Sequence, residues 1–135
     1  MADVVFYLIQ SAEQSVESLA CRLCRRVAIS AKTPVFVCFD DAAALHSFDQ
    51  LLWSFEPDSF VPHAIDDAHA PVCLGLQPPD DFKGCCLNLA SRTVDTQRFD
   101  RVLEIIGADD AAKVTGRQRF RDYRQAGYSP QTHPV

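Results

Sequence analysis

Val4-Val5-Phe6-Tyr7-Leu8-Ile9, set between Asp3 and Gln10, is an unbroken apolar run. A strand with one wet face alternates apolar and polar residues, whereas an unbroken run belongs to a strand covered on both faces. Working outward, Ser11 stands where it can cap a helix, and Glu13 and Glu17 suit that helix's first turns. Val16, Leu19, Ala20, Leu23 and Val27 then recur at helical spacing, with Arg22, Arg25 and Arg26 away from the centre of the stripe. Thr33-Pro34 breaks the pattern, and Val35-Phe36-Val37-Cys38-Phe39 is a second buried strand. Asp40 or Asp41 caps a second helix, which runs from about Ala42 to Trp53.

Pro57, Pro62, Pro71, Pro78 and Pro79 make the middle of the chain irregular, with short extended pieces near 61–65 and 72–76. Cys85-Cys86-Leu87-Asn88-Leu89 forms a strand after Gly84. The spacing then predicts a helix over 96–103, a short strand over 104–106 and a last helix over 109–125, closed by Gly127. Strands alternating with helices make an α/β fold with a mostly parallel sheet and helices on both faces. With neither repeats nor low-complexity segments, residues 1–135 read as a single domain.

The chain's 135 residues suit one domain that buries about two-thirds of its surface. A 47% hydrophobic content and a mean hydropathy of -0.06 belong to a soluble globular protein and exclude a disordered or collagen-like one. No apolar run approaches the ~20 residues of a membrane span. Met1-Ala2-Asp3-Val4-Val5-Phe6 has no basic leader, so the expected setting is the cytoplasm, with no membrane partner.

Six cysteines invite a disulfide or metal reading, but nothing in the sequence points to export. Cys21 and Cys24 form a C-x-x-C in mid-helix, not at the helix N-terminus where the dipole would activate a thiol. Neither a second C-x-x-C nor a close Cys/His pair completes a zinc site, although His63, His69 and Cys73 share one loop region. Buried reduced thiols, with no metal and no cofactor, are the expectation.

An α/β fold raises the question of nucleotide binding. The turn after the first strand, Gln10-Ser11-Ala12-Glu13-Gln14-Ser15, has no glycine to bring amides against a pyrophosphate, and Glu13 would repel one. There is no P-loop, and no serine sits in a G-x-S-x-G elbow. Asp40-Asp41 and Asp66-Asp67 could hold Mg²⁺, but capping a helix or solvating a loop explains them more simply. The fold is Rossmann-like without the nucleotide-binding loop, and no catalytic residue is nominated.

Two surfaces carry a signal. The formal net charge is -5, yet Lys113, Arg117, Arg119, Arg121 and Arg124 are opposed locally only by Asp122. At ~100° per residue, Lys113, Arg117, Phe120, Arg121 and Arg124 share an arc of ~120°. Like charges at i, i+4 destabilise a helix by a few tenths of a kcal/mol per pair, so the stripe suggests an acidic partner; the alternative is an ordinary solvated face. An aromatic ring among the cations fits an acidic peptide ending in a hydrophobic residue, held by guanidinium forks beside an apolar cleft. A second reading is direct nucleic-acid binding by this helix, which the overall acidity disfavours. The other surface is Leu51-Leu52-Trp53-Ser54-Phe55-Glu56-Pro57-Asp58-Ser59-Phe60-Val61-Pro62-His63, too rich in large apolar groups for one loop to bury.

Leu52-Trp53 with Ser59-Phe60-Val61-Pro62-His63, Arg119 through Tyr128, and the opening Phe6-Tyr7-Leu8 resemble the chi subunit of bacterial DNA polymerase III. The resemblance spans nearly the whole chain in order and length and is weakest over 64–83. It implies a three-layer α/β/α sandwich and a non-catalytic accessory protein of the clamp loader. It further implies one surface for the acidic, phenylalanine-ended C-terminal tail of single-stranded DNA-binding protein, through Ile106, Lys113, Arg117, Phe120 and Arg121. Another surface, at Trp53, Phe60, Val61 and Pro62, would hold a psi subunit or another protein, and DNA would be reached only indirectly. Phe120 stands where the family often has tyrosine, and Arg121 where it often has lysine.

Overall fold

The computed structural model describes residues 2–55 and 60–135. Its strands are β1 (Asp3–Leu8), β2 (Val35–Cys38), β3 (His63–Ile65), β4 (Val72–Gly75), β5 (Cys85–Asn88), β6 (Arg101–Ile106) and β7 (Gln131–Pro134). The α-helices are α1 (Val16–Arg25), α2 (Ala42–Ser54) and α3 (Asp110–Gln125). The strands form one sheet in the order β3-β4-β2-β5-β6-β1-β7, and each pairing is parallel. The α/β reading therefore holds, with the sheet wholly rather than mostly parallel.

The apolar runs do what a sheet covered on both sides requires: all four residues of β2, of β4 and of β5 are buried. Alternate side chains feed two cores. Val5, Val35, Val37, Leu74, Leu87, Leu103 and Ile105 join residues of α1 and α2 in one. Val4, Phe6, Phe36, Cys86, Val102 and Ile106 join Tyr123 of α3 in the other, with Phe82 and Phe99 from the loops.

Short polar side chains set where the helices begin. Ser15, not Ser11, caps α1 by accepting the Ser18 N–H at 3.0 Å. Ser11 instead accepts the Glu13 N–H in the turn before it, because the apolar stripe starts only at Val16. Asp41 caps α2 by accepting the Ala44 N–H, while Asp40 accepts the Ser91 N–H in the loop after β5. The carboxylate pair is thus spent on local structure. A π-type turn over Arg26–Ser30 continues α1.

The largest departure from the sequence reading lies at 96–106. The expected helix over 96–103 is a single 3₁₀ turn, Thr96–Arg98, and β6 starts at Arg101 and runs through Glu104 without a break. Glu104 looks like the polar end of an element but sits fully buried inside a strand. Strand β7, all four of its residues exposed, has no apolar signature, and the sequence pattern predicts nothing there.

The six cysteines are free and buried. Cys21 is as buried as Cys24, because α1 packs on α2 as well as on the sheet. Among the described residues, no three or more His, Cys, Asp or Glu side chains gather where a metal ion could sit. No helix there is long and apolar enough to cross a membrane.

Candidate functional site

Helix α3 begins at Asp109, whose carboxylate accepts the Ala112 N–H at 2.7 Å. It ends in a Schellman motif: Gly127, at φ +98°, donates to Arg124 O, and Tyr128 donates to Tyr123 O. In between, Gly116 rests on β6 so closely that a Cβ there would come within 2.5 Å of the Ile106 side chain. The glycine lets the helix lie low over the end of the strand. Tyr123 is buried, and Phe120 is half-buried with its ring 5.2 Å from that of Phe6.

Low packing of α3 beside the C-terminal ends of β1 and β6 leaves a cavity of about 390 Å³. Its apolar floor comes from Leu8, Ile9, Ile106 and Gly107, and its wall from Lys113, Arg117, Phe120 and Arg121 of α3. Gln10 and Thr132 complete the lining from the β1 and β7 side. All five residues nominated around the cationic stripe, Ile106, Lys113, Arg117, Phe120 and Arg121, therefore line one concavity. The ends of parallel strands are where such folds place ligands, which is why Leu8 and Ile9 belong to the lining. Thr132 has no comparable sequence signal, since β7 has none.

Lys113, Arg117 and Arg121 are exposed and form no ion pair with another described residue. Arg121 donates to Gln118 Oε1 at 3.0 Å, a neutral acceptor that orients the guanidinium without neutralising it. Arg124 is exposed too but does not line the cavity. Three positive groups thus stand over an apolar floor with one aromatic ring among them.

Arg119 behaves differently. It is buried, with Nε 3.0 Å from Glu104 Oε1 and Nη2 3.4 Å from the Ile105 carbonyl. Glu104 Oε2 accepts the Tyr123 hydroxyl at 2.6 Å and Asn88 Nδ2 at 2.8 Å. Burial raises the Glu104 pKa, against the lowering pull of the Arg119 charge and of the bonds from Asn88 and Tyr123. Every donor aimed at this group suits the carboxylate form. Counting Arg119 with the outward charges of α3 therefore overstates the exposed positive field.

The second nominated surface has a different character. Trp53, on the last turn of α2, is 54% exposed and Phe60 is 63% exposed, with their rings 5.3 Å apart. The His63 ring lies 4.5 Å from Trp53 and is anchored by Nδ1 donating to Val61 O at 2.8 Å; its Nε2 is 3.1 Å from Asp49 Oδ1. Val61 is buried and Pro62 half-buried, so those two support the patch while Trp53 and Phe60 present it. Glu56, Pro57, Asp58 and Ser59 of the nominated stretch lie outside the described residues.

Comparison with known proteins shows the family to which the chain is similar. The family model described as DNA polymerase III chi subunit, HolC, matches residues 1–131. The DNA polymerase III subunit chi of Pseudomonas aeruginosa is 36% identical over 138 residues, covering 98% of this chain and 96% of that protein. The subunits chi of Haemophilus influenzae and Escherichia coli are 26% and 24% identical, covering 96% and 98% of this chain and 95% and 97% of their own lengths.

Proposed function

The chain belongs to the DNA polymerase III chi-subunit family, accessory subunits of the replicative holoenzyme, and from that premise we propose that it is an adaptor that holds two protein partners at once. One partner is the acidic C-terminal tail of single-stranded DNA-binding protein, seated beneath α3. The other is a psi-type subunit of the clamp loader, or a protein in its place, on the Trp53–Phe60 patch. The observation that carries the first half is the cavity itself, in which an apolar floor and the Phe120 ring meet Lys113, Arg117 and Arg121. A terminal aromatic side chain would fill the floor, and the tail's carboxylates would take charge-assisted bonds from the guanidiniums. The second half is supported by two large aromatic side chains held in solvent against a supporting histidine.

Such a peptide contact is small, and a Kd in the micromolar range is expected. Titrating a fluorescent acidic peptide ending in phenylalanine tests it. Arg117→Ala, which removes a charged hydrogen bond, should weaken binding by about 1.5–3 kcal/mol. Equal affinity of wild type and variant would remove the tail from this cavity.

A further inference from the structure

We propose that the chain carries a second ligand groove, on the face of the sheet opposite the α3 cavity, and that it takes a segment of single-stranded nucleic acid. Successive residues of β7 point to opposite faces. Thr132 lines the cavity beneath α3, while His133 lines a groove of about 500 Å³ beside α1. The apolar floor of that groove comes from Leu23, Val27 and Leu103, all of the α1 and α2 core. Over it stand half-buried Tyr7 and exposed His133, with ring centroids 5.9 Å apart. Arg26 and Arg101 complete the lining that matters here.

The positive charge at this groove is not spent within the fold. Arg22 and Arg26, one turn apart, share a flank of α1 and its continuation. With Arg101 they are exposed and form no ion pair with another described residue. The nearest acids in the strands, Asp100 beside Arg101 and Asp3 in register with it, leave that guanidinium free. Rings over an apolar floor, flanked by guanidiniums, are the parts of a base-stacking platform. Any base can stack on such rings, and the backbone phosphates take charge-assisted bonds from the arginines. An acidic peptide suits the groove less well, because the rings stand along an open edge strand whose four residues are all exposed. The net charge of -5 confines the attraction to this patch, so binding is weak and sensitive to salt. Nucleic acid is then met directly on one face of the sheet, independently of any peptide held on the other.

Fluorescence anisotropy of a labelled oligothymidine of ~15 nucleotides, titrated with the protein at ~50 mM salt and about pH 8, tests the groove. Wild type should bind saturably. The double variant Arg26→Ala, Arg101→Ala should bind at least fivefold more weakly, while Arg117→Ala should match wild type. His133→Ala should lose at least threefold yet keep the wild-type dependence on salt, since an ordinary histidine is neutral at that pH and only a ring is removed. All three groove positions are exposed, so the melting temperature should not move. No saturable binding by wild type, or a loss with Arg117→Ala in place of the double variant, overturns the proposal. Displacement of the oligonucleotide by the phenylalanine-ended acidic peptide overturns it too, by putting both ligands on one site.

Discussion

Arg117 and Arg119 are two residues apart on one helix and have the same side chain, yet one stands over a cavity and the other is buried against a carboxylate. Helix geometry alone sets them ~200° apart, but no helical periodicity reports that Arg119 is matched by Glu104, fifteen residues upstream on another element. The signal in the sequence is a single acidic residue inside Val102-Leu103-Glu104-Ile105-Ile106, which reads as a boundary and is in fact a buried acceptor for three donors. The exposed side of the stripe, by contrast, is legible, because Lys113, Arg117, Phe120 and Arg121 share a face by helix geometry alone.

The thiols make a prediction at the same scale. Burial pushes Cys21 up to about 12, with Glu17 adding to it, and pushes Cys85 to about 12 and Cys73 to about 11, from 9.0. The folded chain holds these protons where the unfolded chain releases them. Their contribution to stability is therefore complete below about pH 9 and is lost as pH rises toward the folded values, by up to ~1.4 kcal/mol per pH unit for each thiol. Urea unfolding between pH 8 and 10.5 should show that decline, accompanied by silence toward thiol reagents in the native state at pH 8. A flat profile would mean that the sulfurs reach solvent.

Among the elements, α3 is the one whose seating creates the site, and Gly116 is where it touches down. Gly116→Ala adds helix propensity worth about 1 kcal/mol but puts a methyl group within 2.5 Å of Ile106. Either Ile106 swings into the cavity or the helix lifts from β6. Thermal melting should therefore shift little while affinity for the acidic peptide drops about tenfold; a variant that binds as tightly as wild type would show that the floor is not used. Element types and order were readable wherever apolar runs were long, as in β1 and β2, or where a cap stood beside a helical stripe, as at Asp41. They were not readable over 96–106, where Phe99 and Leu103 happen to fit a helical spacing although their side chains serve opposite faces of the sheet. Strand β7 was invisible because an edge strand of Gln131-Thr132-His133-Pro134 owes its place to backbone pairing with β1, not to burial.

Across the whole molecule, α2 contributes to one core and α3 to the other, and the strands beneath them, β4 and β6, are separated by β2 and β5. The Trp53–Phe60 patch and the cavity are thus placed on different faces toward different edges of the sheet, an arrangement suited to holding two partners without competition. Free energies of well-separated sites add to within about 0.5 kcal/mol. Trp53→Ala should accordingly leave peptide affinity at the wild-type value, and the double variant with Arg117→Ala should match Arg117→Ala alone. A lower affinity for Trp53→Ala would couple the two surfaces and contradict independent docking.

The cavity beneath α3 is the proposed seat of an acidic, phenylalanine-ended peptide. A two-dimensional amide NMR titration of the uniformly labelled protein with that peptide locates the contact residue by residue. Saturable shifts are expected at Ile106, Gly107, Thr132 and Lys113 through Arg121, with the Trp53 indole and β3 unmoved. Shifts centred on Trp53 and Phe60, or none at millimolar peptide, would contradict it.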